Sequence, residues 1–97
     1  MVRAEYNAFC KELDEKTFNQ PEVVAESKKF VMLKADLTRN ADENVKAFYK
    51  RFAAKGVPTL IFLKPNGEEM AELRGVGFET RDVFLGKMKK ALAASGL

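Results

Sequence analysis

The sequence predicts one α/β domain spanning residues 1–97, with the element order β-α-β-α-β-β-α. Two short apolar runs, residues 30–35 and 59–63, predict strands. Between them, apolar residues at i, i+3, i+4 and i+7 predict a helix: Val45, Phe48, Tyr49 and Phe52. A β-α-β unit followed by a hairpin and a covering helix predicts a central mixed sheet with helices on both faces. No linker or repeat divides the chain.

The first half contains three further predicted elements. Residues 2–4 are predicted as a short first strand, which begins almost at the start of the sequence. Asn7 is a good helix N-cap and predicts a helix over residues 8–18. Its modest apolar face is expected to contain Phe9, Leu13 and Thr17. Pro21 suits the first position of a short helix that continues through residues 22–27.

The second half is predicted from caps and turns. Asn40 and Glu43 resemble a capping box before the central helix, and Gly56 is expected to be its C-cap. Residues 65–67 predict a turn, followed by a more polar edge strand over residues 69–74. Thr80 is expected to cap a final helix that ends at Gly96. One face of this helix should contain Phe84, Met88, Ala91, Leu92 and Ser95.

Composition excludes several functional classes. The chain is 46% hydrophobic and 32% charged, with a net charge of +3 and no block of five like charges, which argues against nucleic-acid binding. No apolar run is long enough to span a membrane, and residues 1–5 do not resemble a signal peptide, so a complete chain would be cytoplasmic. There is no histidine, and one cysteine is a poor metal ligand set, so we predict no metal and no cofactor.

Cys10 and Pro58 form the most informative pair of residues. Cys10 lies at the predicted start of a helix, and Pro58 immediately precedes a predicted buried strand. Because proline has no N–H to donate to a strand ladder, a turn proline with a cis bond after Val57 is the simplest arrangement. A cis-proline loop facing a helix-start cysteine is the layout of a thiol–disulfide site. We therefore expect the Cys10 sulfur to lie near the Val57-Pro58 loop.

Specific residues also resemble a known family. Residues 6–18, Tyr-Asn-Ala-Phe-Cys-Lys-Glu-Leu-Asp-Glu-Lys-Thr-Phe, resemble the Trp-Cys-x-x-Cys-Lys-x-x-Glu-x-x-Thr-Phe stretch of the DsbD thiol:disulfide interchange proteins. The similarity is greatest to their C-terminal thioredoxin-like domain. It continues at residues 21–23, 34–38, 56–59, 65–67 and 77–78. The resemblance implies a thioredoxin-like fold, electron transfer by disulfide exchange with a thiol- or disulfide-bearing protein partner, and a periplasmic location. The parent family is membrane-anchored.

The chain departs from the family pattern at the site itself. Cys10 falls on the second, resolving cysteine, and Asn7 occupies the position of the first, nucleophilic cysteine. Tyr6 stands where the family has Trp, and Asp14 aligns with a family acid near the site. The acid that the family carries on its first strand would fall at about Met1 and is missing. The chain is therefore expected to be a fragment, an engineered protein or a degenerate homologue.

Two functional hypotheses differ in class, and a third places the reactive partner of Cys10 outside the chain, so that Cys10 forms an intermolecular disulfide or a glutathione adduct. In the first, Cys10 still exchanges disulfides, but the domain is impaired in dithiol turnover because its nucleophilic partner is Asn7. In the second, Cys10 is a buried, inert residue and the domain is a non-catalytic module that binds peptides or proteins. In either case substrate contacts are predicted at Tyr6, Val57, Pro58 and Thr59. Asn7 is primarily an N-cap, and Asp14 is a solvated helix residue or a proton relay.

The short first strand predicts an assembly. In this fold the strand would lie between the strands predicted at residues 30–35 and 59–63, and few residues are available to fill that position. Unpaired backbone groups on the flanking strands would offer a template for another chain. A dimer, or an exchanged strand, is therefore a hypothesis.

Overall fold

A computed structural model of the protein describes residues 1–3, 7–33, 35–36, 43–54 and 56–95. Four short strands lie at β1 (Val2–Arg3), β2 (Ala35–Asp36), β3 (Thr59–Leu60) and β4 (Gly75–Val76). Four helices lie at α1 (Ala8–Lys16), α2 (Pro21–Ser27), α3 (Glu43–Arg51) and α4 (Arg81–Ser95). A single 3₁₀ turn, Ala71–Leu73, precedes β4. This order matches the predicted β-α-β-α-β-β-α arrangement, with the first helical region divided into α1 and α2.

The strands form one mixed sheet in the order β2-β1-β3-β4. β1 is parallel to β2, with Val2 opposite Ala35, and antiparallel to β3, with Val2 opposite Thr59. β4 is antiparallel to β3 and lies at the edge. The predicted mixed sheet and the central position of the first strand are therefore confirmed. β1 itself occupies the position between β2 and β3 and pairs on both sides at Val2. The dimer hypothesised to fill this position stays a prediction.

The described residues contain two apolar clusters, one on each face of the sheet. Successive side chains from β3 onward pack alternately into one cluster and the other. Leu60 and Phe62 belong to the main core, and Ile61, between them, packs in a second cluster around Ala54. The main core also contains Leu13 of α1, Val23 of α2, and Phe84, Met88 and Ala91 of α4. Val45, Phe48 and Tyr49 of α3 pack in the second cluster. Because successive strand side chains point to opposite faces, α3 covers one face of the sheet and the other helices cover the opposite face.

The strand predicted at residues 30–35 is wrong over most of its length. The amides of Lys29 and Phe30 donate to Glu26 O and Ser27 O at 3.0 Å, so the chain continues in turns beyond α2 as far as Phe30. Phe30 packs edge-on against Phe62, with ring centroids 6.3 Å apart. The next three apolar residues lie outside any strand and are exposed: Val31, Met32 and Leu33. Strand β2 comprises Ala35–Asp36.

The strand predicted at residues 69–74 is also wrong in part. Pairing with the preceding strand consists of a bridge between Leu63 and Glu69, with 2.8 Å bonds from Met70 N to Phe62 O and from Lys64 N to Glu68 O. The chain then forms the 3₁₀ turn before β4. Met70 and Leu73 are both buried, at 3% and 5% exposure. An alternating strand would place these residues on opposite faces, whereas the turn directs both into the main core.

The end of α3 differs from the prediction at Gly56. The helix ends at Arg51, and Ala53 adopts the left-handed conformation with φ of 49°. Its amide donates to Lys50 O, and the Ala54 amide donates to Tyr49 O, both at 3.1 Å. These two bonds form a Schellman motif with alanine at the position that usually holds glycine. The Asn40 cap predicted at the other end lies outside the described residues.

Other predicted elements are confirmed. Lys64 O accepts the Gly67 amide at 2.9 Å, which closes the turn at residues 65–67. Thr80 caps α4, because its hydroxyl oxygen accepts the Val83 amide at 3.3 Å. The buried face of α4 contains Phe84, Met88 and Ala91 as predicted. None of the helices in the described part of the chain is both long and apolar enough to span a membrane.

Candidate functional site

The start of α1 is fixed by Asn7. The Asn7 Oδ1 atom accepts the amide of Phe9 at 2.9 Å and that of Cys10 at 3.1 Å. These bonds satisfy two of the amides that a helix N-terminus otherwise leaves unpaired. The predicted N-cap is therefore confirmed. Cys10 lies in the first turn of α1 and is fully buried, with 0% exposure and no disulfide.

The buried face of α1 differs from the predicted one. Cys10, Leu13 and Thr17 are all at 0% exposure, whereas Phe9 is 52% exposed. Spacings of three and four residues place the buried set on one side of the helix, and Phe9 is rotated away from that side. The prediction that Phe9 belongs to the apolar face is wrong. An exposed aromatic side chain directly beside Cys10 is a candidate binding residue that the sequence pattern did not reveal.

The second part of the site is the loop that enters β3. The Val57-Pro58 peptide bond is cis, and Pro58 and Thr59 are both fully or almost fully buried. The Thr59 hydroxyl donates to Gly56 O at 2.7 Å, so this side chain holds the loop from within. The Pro58 carbonyl accepts the Gly77 amide at 3.1 Å. Val57, Pro58 and Thr59 are therefore brought together as one ordered unit, which we call the proline loop (residues 56–59).

Residues 77–79, which we call the linking segment, join α1 to the proline loop. The Thr17 hydroxyl donates to Glu79 O at 2.6 Å, and Gly77 donates to Pro58 O. The Glu79 carboxylate contacts the ammonium group of Lys87 on α4, and its side chain is 10% exposed. Its Oε1 atom is buried and accepts no hydrogen bond from the described residues. No local sequence pattern predicts a role for Glu79 or for the Thr17 hydroxyl.

The remaining predicted site residues lie in different surroundings. Asp14 follows Cys10 by one helical turn and is half-buried. It borders a wide apolar groove of about 890 Å³, whose walls include Phe18, Phe62 and Met88. Among the described residues, neither Cys10 nor Pro58 lines this groove. Tyr6 lies outside the described residues. The proximity of the Cys10 sulfur to the proline loop stays a prediction.

An ion pair supports the proline loop from the side of α3. Arg74 makes hydrogen bonds of 2.7 and 2.5 Å to the two carboxylate oxygens of Glu69 and also bonds Phe52 O. Hydrogen bonding to Glu69 raises the pKa of Arg74 above its ordinary value, against the opposite effect of burial. Arg74 lines a cavity of about 260 Å³ with Gly56, Thr59 and Val76. The guanidinium group thus connects the end of α3 to Glu69, beside a cavity that the proline loop also lines.

The acidic and cysteine side chains are the candidate metal ligands of this chain. Within residues 1–3, 7–33, 35–36, 43–54 and 56–95, no three such side chains converge on a common point.

The fold and these features agree with a comparison against known families. A sequence profile for the thioredoxin-like domain matches residues 1–92. The chain belongs to the thioredoxin-like domain family. This family assignment confirms the fold class that the motif resemblance implied.

Individual relatives extend this result. The chain is 38% identical over 82 residues to the thiol:disulfide interchange protein DsbD of Haemophilus ducreyi. The aligned residues cover 84% of this chain and 14% of that protein. The match therefore spans only a small part of that protein's length. The fold is similar to the reduced C-terminal domain of Neisseria meningitidis DsbD, with a TM-score of 0.78, 24% identity and coverage of 93% and 76% of the two chains. A thioredoxin from Thermus thermophilus gives a TM-score of 0.77 at 20% identity, covering 98% and 72%.

Proposed function

We propose that this thioredoxin-like domain takes part in thiol:disulfide interchange through Cys10 alone and is impaired in dithiol turnover. The observation that carries the proposal is the position of the only cysteine in the sequence, in the first turn of α1 behind an asparagine cap. A helix N-terminus favours an anion through its dipole, and the reactive form of cysteine is the thiolate. The similarity to DsbD supports the same reaction class.

The chemistry of a single thiol limits what the domain can do. The Cys10 thiolate attacks one sulfur of a disulfide in a partner protein, and the partner's other sulfur leaves as a thiolate. The product is a mixed disulfide between the two proteins. In the related proteins we take position 7 to be the attacking cysteine, but Asn7 has no sulfur. Return of Cys10 to the thiol therefore requires a thiol from the partner or from a small molecule.

The proline loop and Phe9 are the proposed peptide-binding elements. Pro58 lacks an amide hydrogen, and its carbonyl is already bonded to Gly77, so pairing with an extended peptide would use the backbone of Val57. Phe9 offers an exposed ring beside Cys10. Thr59 would act through the shape of the loop, because its hydroxyl is bonded to Gly56. Tyr6 is retained as a contact by family resemblance, and Asp14 as a group that exchanges protons with the thiol one turn away.

Burial favours a second candidate function. Cys10 is at 0% exposure, and a fully buried thiol reacts slowly with disulfides of macromolecules. The alternative is a non-catalytic module that binds extended peptides at the proline loop and uses Cys10 only for packing. Reaction of Cys10 separates the two functions, because only the first gives a mixed disulfide that a reducing agent reverses.

Insulin reduction in the presence of dithiothreitol tests the proposed limitation. The natural chain should give no rate above that of dithiothreitol alone, because it stops at a mixed disulfide. The Asn7→Cys variant, with two thiols three residues apart, should accelerate precipitation of the insulin chains. Equal rates from both proteins would show that the missing first cysteine is not the limitation.

Two control variants make this comparison specific. Asn7→Ser removes asparagine but keeps a capping hydroxyl, and it should remain inactive. Ala47→Cys adds a second thiol on an exposed site of α3, away from the capped start of α1, and it should also remain inactive. Acceleration by Ala47→Cys would mean that any second thiol suffices, which contradicts a site at residues 7–10.

The partner and the location follow from the same proposal. The partner would be a protein that carries a reactive thiol or disulfide, and electrons would move between the two through the mixed disulfide. We propose a periplasmic setting by similarity to DsbD, because an oxidising compartment maintains disulfide substrates. Detection of a disulfide-linked adduct of the natural chain in periplasmic rather than cytoplasmic extracts would test this location.

A further inference from the structure

Two hydrogen bonds connect the helix that carries Cys10 to the proline loop. Thr17, two turns after Cys10 on the same buried face of α1, donates to Glu79 O. Gly77, two residues earlier than Glu79, donates to Pro58 O. We infer that Thr17 is a positioning residue, which sets the placement of α1 against the proline loop for a peptide disulfide. This inference rests on the proposed function in thiol:disulfide interchange.

The Thr17 hydroxyl is suited to this role by its surroundings. Thr17 is at 0% exposure, and its hydroxyl donates at 2.6 Å to a residue 62 positions away in the sequence. The end of α1 does not need this hydroxyl, because the backbone amides of Thr17 and Phe18 both donate to Leu13 O. Removal of the Thr17 hydroxyl would leave the partly buried Glu79 carbonyl without this donor, which is unfavourable. The bond therefore holds two distant segments together.

The linking segment cannot easily follow a displaced helix. Glu79 is held by Lys87 of α4, and its carboxylate packs closely on Gly75, where an added Cβ atom would lie 2.6 Å from Glu79 Oε2. Gly77 has φ of 87°, a conformation that suits glycine, and its amide is committed to Pro58. Loss of the Thr17 bond would therefore change the position of α1 relative to this segment, with little compensation from Glu79.

Peptide and small-molecule disulfides should respond differently. A peptide disulfide must present a sulfur at Cys10 and pair its backbone at the proline loop at the same time, so its reaction depends on the spacing of the two parts. A small disulfide such as bis(2-hydroxyethyl) disulfide contacts only the sulfur. The role of Thr17 in positioning should therefore be visible with peptides and absent with the small disulfide.

The first experiment measures mixed-disulfide formation at Cys10 in the natural chain, Thr17→Val and Thr17→Ser. The substrate is a linear peptide with a mixed disulfide to 2-mercaptoethanol, compared with bis(2-hydroxyethyl) disulfide, and adducts are followed by mass spectrometry. Thr17→Val should lower the rate with the peptide about fivefold, the effect expected for loss of one neutral hydrogen bond. Its rate with the small disulfide should change less than about twofold. Thr17→Ser, which keeps the hydroxyl, should restore the peptide rate.

Equal changes with both disulfides would overturn the inference, because they would show that Thr17 affects only the exposure of Cys10 or overall stability. Failure of Thr17→Ser to restore the peptide rate would also overturn it. If the natural chain does not react with the peptide at all, the proposed function is wrong, and the amide-exchange measurement below then decides whether Thr17 positions the loop.

Hydrogen exchange tests the structural step without any activity. In Thr17→Val the Gly77 amide should exchange faster, because the linking segment loses its anchor to α1 at Glu79 O and opens from Pro58 O more often. The Met88 amide, in the middle of α4, should keep its exchange rate. Thr17→Ser should leave both unchanged. Unchanged exchange at Gly77, or an equal increase at Gly77 and Met88, would show that the hydroxyl does not position the loop.

Discussion

The Cys10 amide donates a 3.1 Å hydrogen bond to the side chain of Asn7. The residue predicted to stand at the first cysteine position of the DsbD-like motif thus caps the helix that carries Cys10. Position 7 can hold either a capping side chain or a nucleophilic cysteine. In both cases a polar atom, an oxygen or a sulfur, would lie over the amides of the first helical turn. In this chain the capping use is the one that the structure contains.

Removal of that cap should destabilise the domain. Asn7→Ala leaves the Phe9 and Cys10 amides without their acceptor, and we expect a loss of about 1 kcal/mol in the free energy of unfolding. Asn7→Asp should keep most of the stability, because its carboxylate accepts the same bonds and suits the helix dipole. Chemical denaturation of the three proteins measures this. Equal stability of Asn7→Ala and the natural chain would contradict the capping role.

Burial predicts slow modification of Cys10. With 0% exposure, its thiol should react with Ellman's reagent at least about tenfold more slowly in the folded protein than in guanidinium chloride. A reference is the double variant Cys10→Ala with Ala47→Cys, whose thiol lies on an exposed position of α3. Equal rates for Cys10 and this reference in the folded state would show that the thiol is accessible.

The end of α3 offers a stabilising substitution. Ala53 has φ of 49°, which is unfavourable for a residue with a Cβ atom and natural for glycine. Ala53→Gly should therefore increase the free energy of unfolding by roughly 0.5–1 kcal/mol. The matched control is Ala47→Gly in the middle of the same helix, which should lower it by about 1 kcal/mol. A loss of stability in both variants would mean that Ala53 is not strained.

Gly86 provides a second test of backbone preference. It lies within α4, and nothing is found within 4 Å of a Cβ atom built there. Gly86→Ala should stabilise the protein by about 1 kcal/mol, because alanine loses less conformational freedom on forming a helix. Gly77→Ala is the control, since its φ of 87° opposes a side chain although space is available. Thermal unfolding should give a higher midpoint for the first variant and a lower one for the second.

The Arg74–Glu69 pair should contribute to stability over a wide alkaline range. A raised pKa keeps Arg74 charged in the folded protein, so its contribution is present below the unfolded pKa and is lost only above the folded one. We therefore expect no loss from this group up to about pH 11. Glu69→Gln should lower the free energy of unfolding by about 1 kcal/mol by weakening two charge-assisted bonds. An unchanged denaturation midpoint would contradict this.

The sequence predicted elements where caps and periodicity act locally. Asn7, Thr80 and the face of α4 agree with the structure because each depends on neighbours within one helical turn. The strands were less predictable. Residues 30–33 and 69–74 have apolar or mixed patterns that suit a strand, but turns after α2 and before β4 determine their path. Ala53 was missed because a left-handed alanine leaves no compositional signal, unlike glycine.

The residues of the candidate site likewise fall into those that local sequence patterns predicted and those that they did not. Cys10, Asn7 and Pro58 were identified from motif and position, and the structure gives each a definite environment. Thr17 and Glu79 were not identified, because a bond across 62 positions has no local pattern. Phe9 was assigned to the core from its spacing with Leu13, since a period of four fits two sides of a short helix equally well.

Because Gly75 has no side chain, the Glu79 carboxylate can lie close to its backbone. The residue types that position 75 can accept therefore depend on the residue at position 79. A methyl group at position 75 would meet the Glu79 carboxylate at 2.6 Å and displace it from Lys87. Natural variation should therefore change the two positions together, with a larger residue at 75 accompanied by a shorter one at 79. In a library that randomises both, recovered sequences should show this inverse relation in size, and a designer should treat positions 75 and 79 as one choice.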